Sequence, residues 1–215
     1  MNSSEPHFPP SDEPVSDARV LAETPLPGME EALKAARERE ADDTGLPPLR
    51  PGPWLLRRSP LHWISLGFGS GLSPVAPGTV GTLWAWISFV MLDRFLSDQV
   101  WAWVLLGGLL VGWWACTSTA RALRTADPGA IVWDELLAFW LILWVISPAS
   151  GGLQLGAFVL FRFFDAVKPG PVAWADQLFK GRPGARPGWA QGFGIIFDDL
   201  VAALCTLMVL ALWRV

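Results

Sequence analysis

Histidine and cysteine are scarce in this sequence, and tyrosine is absent. The 215 residues include two His and two Cys. His7 and His62 lie far apart in the chain, so a mechanism that needs a pair of histidines has little support. Cys116 and Cys205 are single residues within apolar runs. They form neither a disulfide framework nor a metal-binding spacing, and packing in a core explains them most simply.

Charge is also scarce. Only 17% of the residues are Asp, Glu, Lys or Arg, whereas 52% are hydrophobic and 14 residues are Trp. This composition favours a small polytopic membrane protein, and we expect no nucleic-acid partner. Residues 1–50 hold 11 acids and 5 bases, and residues 51–215 hold 9 acids and 11 bases. The net charge of −4 therefore comes from the N-terminal region.

The N-terminal region, residues 1–53, is rich in Pro, Glu, Asp and Ala and nearly free of aromatic residues. Such a segment cannot bury enough apolar surface to offset the entropy of ordering it. We therefore expect a disordered acidic tail, with a short helix over residues 28–40. The first residues, MNSSEPHF, lack the basic start and the apolar run of a signal peptide. Residues 54–215 are predicted to form a membrane-embedded domain.

Five apolar stretches in this domain predict an all-α helical bundle. Residues 100–117 contain 18 residues without a charge, enough to cross about 30 Å of hydrocarbon with little tilt. The stretches 131–146 and 153–164 are short for full spans, and the turn sequence SPASGG joins them. They are either short helices across a thinned bilayer or a hairpin that enters it part-way. The other two stretches are residues 79–96 and 195–213.

The distribution of basic residues predicts the orientation in the membrane. If each stretch crosses once, the segment before the first stretch and two of the connections lie on the same side. By the positive-inside rule, that side faces the cytoplasm. The basic residues in these segments are Arg57, Arg58, Arg121, Arg124, Lys168, Lys180, Arg182 and Arg186.

Five acids lie inside apolar stretches or at their ends, all on this cytoplasmic side. An unpaired ionised carboxylate in such a place costs on the order of several kcal/mol. Either salt bridges or a hard divalent cation held by carboxylate oxygens can offset this cost, and Mg2+ suits an all-oxygen ligand set. The acids are Asp134 and Glu135 in IVWDE, Asp165 in FRFFDAVKP, and Asp198 and Asp199 in IFDD.

Two bases are available to pair with these five acids. Arg162 and Lys168 recur with Asp165 at every third position of FRFFDAVKP, which places all three on one face of a helix. Because two bases cannot neutralise five acids, the excess of negative charge favours bound metal over a purely structural network of ion pairs. Asp127, in the preceding connection, is more simply a solvated loop acid.

A glycine-rich run, GFGSGLSPVAPGTVGT, precedes the first stretch. Glycine lets a backbone approach a ligand closely, and Thr79 or Thr82 could cap the following helix. Backbone N–H groups at a helix start suit a phosphate, whereas the alternative is a loop packed tightly against neighbouring helices. The adjacent acids and bases favour phosphate binding. The candidate contacts are Gly69, Ser70, Gly71, Ser73, Gly78 and Thr79.

Other phosphate chemistries lack the residues they need. Four residues separate Cys116 from Arg121, one fewer than in the phosphate loop of cysteine phosphatases. A DxDx(T/V) motif, which would supply an aspartyl nucleophile, is missing. Metal-activated water remains, in which Mg2+ polarises a phosphoryl group, a carboxylate takes a proton from water, and Arg162 or Lys168 balances developing charge.

Four motifs, in order GFGSGLSPVAPGTVGT, IVWDE, FRFFDAVKP and GFGIIFDD, resemble those of the phosphatidylglycerophosphatase A family. The resemblance covers about residues 61–213. It implies a Mg2+-dependent, all-α, multi-pass phosphatase of the bacterial inner membrane. Its phospholipid substrate, phosphatidylglycerophosphate, would be converted to phosphatidylglycerol at the cytoplasmic face of the bilayer. The family's site residues map onto Asp134, Glu135, Arg162, Asp165, Lys168, Asp198 and Asp199, with the five acids as metal ligands.

Two features depart from the family pattern, the long acidic tail and the Arg/Pro/Gly-rich residues 180–192.

Two other functions also stay open. One is a phosphatase of another lipid phosphate; an alcohol phosphotransferase is disfavoured because its dense array of Asp on paired helices is absent. The other is a divalent-cation transporter, whose acids should lie at several depths in the membrane. The acids here gather at one face, which favours a site.

Overall fold

The computed structural model describes residues 47–181 and 186–213, and every regular element within these ranges is helical. This confirms the all-α class. The predicted tail helix at residues 28–40 and nearly all of the predicted disordered tail lie outside the described residues. Two short helices come first, α1 (Pro53–Arg58) and α2 (Pro60–Ser65). Each starts with proline, whose fixed φ suits the first helical position.

All five predicted apolar stretches form helices. They are α3 (Pro77–Leu92), α4 (Asp98–Leu123), α5 (Trp133–Ile146), α6 (Gly151–Val167) and α8 (Trp189–Trp213), and the short α7 (Pro171–Leu178) follows α6. Helix α4 runs six residues past the predicted stretch because residues 118–123 contain neither Pro nor Gly. It ends where Arg124 adopts a left-handed conformation, with φ of 57°.

Two of the described helices, α4 and α8, are long and apolar enough to cross a membrane. Their outward surfaces are also apolar, and Trp103 on α4 and Leu212 on α8 are 72% and 78% exposed. An extensive exposed apolar surface is unusual for a soluble monomer and suits a lipid environment. The geometry of these helices therefore agrees with a membrane protein.

Helix α5 is the central helix of the bundle. It packs against α3, α4, α6 and α8, and ten of its 14 residues are buried. Its sequence, WDELLAFWLILWVI, is apolar on all sides after the first turn, which is typical of a fully buried helix. Helix α5 therefore forms the core of the bundle.

Close contacts between helices depend on glycines in α4. The Trp133 indole N–H donates to the Gly108 carbonyl oxygen at 2.9 Å, and the indole lies directly over Gly112. A Cβ atom at Gly112 would overlap the ring, whereas a Cβ at Gly107 would meet no atom within 4 Å. Gly112 therefore sets how closely α4 approaches α5.

We expect Gly112→Ala to lower the free energy of unfolding by about 1–3 kcal/mol, because the added methyl displaces the Trp133 ring from a packed position. Thermal unfolding in detergent micelles measures the effect. Gly107→Ala, five residues earlier on the same helix, is the matched control and should leave the melting temperature unchanged or slightly raised. Equal melting temperatures for the two variants would contradict this account of the α4–α5 contact.

Candidate active site

The glycine-rich run folds back against the start of α5. Gly67 and Gly69 have φ of 52° and 100°, a region that favours glycine. Gly71 lies against the Ala130 carbonyl so closely that a Cβ atom would overlap it. The Val132 N–H donates to the Ser65 carbonyl at 3.0 Å and ties the preceding helix to the same segment. These glycines lie in a short 3-10 helix, Gly67–Leu72, which packs tightly against the chain that leads into IVWDE.

The predicted helix caps Thr79 and Thr82 are wrong. Helix α3 begins at Pro77, and the residue before it, Ala76, has φ of 44° and caps the helix without a side-chain hydrogen bond. Thr82 instead donates its hydroxyl to the Gly78 carbonyl at 2.9 Å within the helix. Because proline suits the first helical position, α3 begins at Pro77, two residues before the predicted start at Thr79.

An ion-pair cluster joins α5 and α6. Arg162 Nη1 donates to Glu135 Oε1 at 3.0 Å and to Asp165 Oδ2 at 2.6 Å. It also lies 3.4 Å from Thr82 Oγ1. The pairing of Arg162 with Asp165 along α6 is the one that their three-residue spacing predicts. One guanidinium nitrogen therefore holds two of the predicted site carboxylates in place.

The last glycines of the run make room for this cluster. A Cβ atom at Gly78 would overlap Glu135 Oε1 and lie 3.1 Å from Arg162 Nη2. A Cβ atom at Gly81 would lie 3.2 Å from Glu135 Oε2. These two glycines on α3 let the helix backbone approach the carboxylate closely. The run therefore reaches the predicted site through Gly78.

Lys168 does not share a face with Arg162 and Asp165, contrary to the sequence prediction. Helix α6 ends at Val167, and Lys168 adopts a left-handed conformation, with φ of 48°. Its ammonium group turns towards α7 and α8, where it donates to Asp176 Oδ1 at 2.8 Å and to Asp198 Oδ2. The face defined by the three-residue spacing is lost because the helix ends one residue before Lys168.

Asp176 is a site residue that the sequence analysis missed. It accepts hydrogen bonds from Lys168 and Lys180. Burial raises the pKa of Asp176, but the hydrogen bonds from the two lysines outweigh that effect and leave the pKa below its usual value. Burial lowers the pKa of Lys168, but the hydrogen bonds with Asp176 and Asp198 outweigh burial, so the pKa lies above its usual value. The four-residue spacing from Asp176, on α7, to Lys180, just past the end of that helix, was the available signal.

Four buried carboxylate oxygens have no hydrogen-bond partner among the described residues. Asp199 is only 2% exposed, and the charges of Asp165, Asp134, Asp198 and Glu135 all act on it. The cluster therefore holds more negative charge than Arg162 and Lys168 compensate. The unpartnered atoms are Asp134 Oδ1, Glu135 Oε2, Asp198 Oδ1 and Asp199 Oδ2.

The chemistry of these atoms fits a hard cation. All four are carboxylate oxygens, the ligand type that Mg2+ prefers. Across residues 47–181 and 186–213, however, no three Asp, Glu, His or Cys side chains are already arranged around one point as a metal centre. Of the five predicted ligands, Asp165 is the one whose oxygens are not among the unpartnered atoms. Binding of a cation would therefore require these side chains to move closer together.

Most of the candidate phosphate contacts make no hydrogen bond to the acids of the site. Ser70 donates its hydroxyl to the Gly67 carbonyl at 2.8 Å, and Ser73 donates to the Val75 carbonyl at 2.8 Å. Both hydroxyls therefore serve the loop itself. Gly69 has open space around it, and Thr79 is half-buried on the first turn of α3. Among these candidates, Gly78 is the one whose contact with Glu135 and Arg162 is established.

A small pocket of ≈ 30 Å3 borders the lysine side of the site. Asp127, Asp176, Lys180 and Asp198 contribute to its lining, together with Gln191. Asp127 is exposed in the loop between α4 and α5. The sequence analysis treated Asp127 as a solvated loop acid. In the structure, Asp127 lines the same pocket as Asp198.

The chain is similar to known proteins over most of the region after its N-terminal segment. The family model for phosphatidylglycerophosphatase A matches residues 63–214. Phosphatidylglycerophosphatase A of Escherichia coli is 38% identical over 68% of this chain and 78% of that protein. The Haemophilus influenzae protein of the same name is 36% identical over 70% of this chain and 86% of its own length.

A relative with a different name is also similar. A putative phosphatidylinositol-3-phosphatase of Bacteroides thetaiotaomicron is 32% identical over 70% of this chain and 91% of that protein. No solved structure matches. The family model covers well over half of the sequence and includes every acid and base of the site described above. The chain therefore belongs to the phosphatidylglycerophosphatase A family, a family of phosphatases.

Proposed function

We propose that this protein removes the terminal phosphate of phosphatidylglycerophosphate, in a Mg2+-dependent reaction, to give phosphatidylglycerol and phosphate. The observation that carries the proposal is the cluster of buried carboxylates with four unpartnered oxygens, beside Arg162 and Lys168. This cluster lies within the region that matches the family. A divalent cation would supply the positive charge that the excess of carboxylates needs, and it would also bind the substrate phosphate.

The acids Asp134, Glu135, Asp198 and Asp199 would hold Mg2+ through their unpartnered oxygens, with Asp165 as a further candidate ligand. When bound, the cation supplies a Lewis acid that polarises the phosphoryl group. The excess negative charge of the cluster supports this assignment, because it has no other compensation among the described residues. Ion pairing with the two bases leaves these oxygens available.

The bases have separate roles in this proposal. Arg162 fixes Glu135 and Asp165 relative to one another, so that the free Glu135 Oε2 keeps a defined direction. Lys168 fixes Asp198 and ties α6 to α7 and α8. A carboxylate oxygen of the cluster that does not bind the cation would take the proton of the attacking water as general base. The positive charges of Arg162 and Lys168 limit the build-up of negative charge during phosphoryl transfer.

The proposed location is the bacterial inner membrane, with several membrane spans and the site at the cytoplasmic face. The acids lie in the first turn of α5, near the end of α6 and at the tenth and eleventh positions of α8. Arg121 and Arg124, at the end of α4, belong to the same basic side of the chain. The positive-inside rule then supports a cytoplasmic site.

A phosphatase of a different lipid phosphate is the second candidate function. The similarity to a putative phosphatidylinositol-3-phosphatase favours it. The same acids and bases would serve this reaction, since both substrates are phosphate monoesters. The two candidates differ in the lipid alcohol that carries the phosphate.

Phosphate release by the purified protein in detergent tests both candidates. We expect release from phosphatidylglycerophosphate with Mg2+, and loss of that release with EDTA, because the carboxylates then lack their cation. Phosphatidic acid and phosphatidylinositol 3-phosphate are the comparison substrates. Release from either of these alone would favour the second candidate. Undiminished release in EDTA would refute the metal dependence.

Substitution of single acids tests the proposed ligand set. We expect Asp199→Asn and Asp165→Asn each to lower phosphate release by about 100-fold or more, because each removes a charge that the cation or Arg162 requires. Asp98→Asn, an exposed acid at the start of α4, is the matched control and should retain full activity. The measurement is the initial rate at saturating Mg2+, on protein whose melting temperature matches the wild type. Full activity in either site variant would remove that residue from the mechanism.

The orientation can be tested with a cysteine at position 127, next to the site. Cys116 and Cys205 are first replaced by Ala, and Asp127→Cys is then added in the exposed loop. We expect a membrane-impermeant thiol reagent to label this cysteine only in inverted vesicles or opened cells. Labelling in intact spheroplasts would place the loop on the periplasmic side and overturn the proposed topology.

A further inference from the structure

A second and larger pocket, of ≈ 400 Å3, shares no lining residue with the carboxylate cluster. It is bounded by the short helices α1 and α2, the last turns of α4 and the segment that leads into α8. We call it the arginine pocket. The residues that define it are Arg58, His62, Trp114, Arg121, Arg186 and Trp189.

The arginine pocket is positively charged. Its lining, as far as the chain is described, contains three arginines and no acid. Arg162, Lys168 and Lys180 each form ion pairs, whereas none of these three arginines contacts a carboxylate among the described residues. Burial, followed by the charge of Arg58, lowers the pKa of His62, as expected beside uncompensated positive charge. An anionic ligand would provide the missing counter-charge.

Parts of the lining are held in position. Arg121 Nε donates to the Pro187 carbonyl at 2.8 Å, and its guanidinium lies 5.5 Å from the centre of the Trp189 ring. His62 Nδ1 and Thr119 Oγ1 are hydrogen-bonded at 2.7 Å, which fixes the imidazole against α4. The planar guanidinium group of arginine presents several donors in a geometry that matches phosphate oxygens. The site is therefore better suited to a phosphate than a row of mobile lysines would be.

The pocket lies at the same end of both long apolar helices. Trp114 in the last turns of α4 and Trp189 at the start of α8 are about half exposed, at 55% and 49%. Tryptophan side chains in such places are typical of the boundary between the lipid tails and water. Basic pockets between helices at this boundary suit the head groups of anionic lipids. A ligand of the arginine pocket would thus reach it from the bilayer.

We propose that the arginine pocket binds the phosphate of an anionic phospholipid head group, at a site separate from the carboxylate cluster. Trp114 and Trp189 would contact the glycerol and upper acyl region, and Arg58, Arg121 and Arg186 the phosphodiester. The inference rests on the proposed membrane position of α4 and α8, and it does not depend on catalysis. The pocket would keep an anionic lipid next to an enzyme whose own acids repel such lipids.

Native mass spectrometry of the full chain in a neutral detergent tests this proposal. The micelles contain equal amounts of phosphatidylglycerol and phosphatidylcholine, and EDTA is present so that no divalent cation can bridge a lipid to the carboxylates. We expect the wild-type protein to retain phosphatidylglycerol about 100-fold more than phosphatidylcholine, because only the former has an uncompensated negative charge for the three arginines to bind. Retention in EDTA separates this site from the proposed catalytic one.

A triple variant, Arg58→Gln, Arg121→Gln and Arg186→Gln, should lose this preference, since each basic residue near an anionic lipid contributes about fivefold to binding. The matched control removes three arginines outside the pocket, Arg50→Gln, Arg57→Gln and Arg124→Gln, and should keep the preference. Because Arg121 also holds Pro187, the double variant Arg58→Gln and Arg186→Gln leaves that contact intact. It should still weaken retention about tenfold or more.

Three outcomes would overturn the proposal. Equal retention of the two lipids by the wild-type protein would show that the pocket does not select an anionic head group. Equal loss in the pocket variants and in the control would assign the preference to overall charge. Displacement of the lipid by millimolar inorganic phosphate, with the pocket variants alone insensitive, would identify free phosphate as the ligand. Failure of phosphate release in the separate activity assay has no bearing on these results.

Discussion

Buried negative charge is the constraint on which the rest of this structure depends. Asp134 and Glu135 lie in the first turn of α5, and Asp198 and Asp199 lie at the tenth and eleventh positions of α8. Burial within these apolar helices removes the hydration of each ionised carboxylate. The protein compensates only part of this cost, through Arg162 and Lys168. Four carboxylate oxygens have no hydrogen-bond donor among the described residues. In our proposal, a bound cation compensates the charge of these oxygens. Stability and function would then rely on the same ion.

The helix packing around the cluster follows from this constraint. Glu135 can approach α3 because Gly78 and Gly81 have no side chains, and larger residues there would displace the carboxylate. The loop that leads into α5 fits against Gly71 in the same way. These contacts show close packing of the glycine-rich run, and phosphate binding by the run stays a prediction. Gly78 and Gly81 combine close packing with an approach to Glu135 of the charged cluster.

The described charged residues form two regions, one with an excess of acids and one with an excess of bases. The carboxylate cluster has more acids than bases, and the arginine pocket has three bases without an acidic partner among the described residues. Thr117 lines the arginine pocket and also lies against Gly192 of α8, so the contact of α4 with α8 borders that pocket. A lipid phosphatase must attract an anionic substrate to an acidic site. A separate basic pocket at the bilayer boundary would meet that requirement.

The sequence by itself determined the helices and the identity of the charged residues. Local composition and spacing predict the five apolar stretches, the pairing of Arg162 with Asp165 and the family motifs. Each of these features depends only on residues that are close together in the chain. Tertiary structure decided the rest. Lys168 turns to Asp176 and Asp198 because the helix ends at Val167, and the central place of α5 depends on packing by four other helices. Contacts between residues distant in the chain, such as Arg121 with Pro187, leave no periodic signal in the sequence.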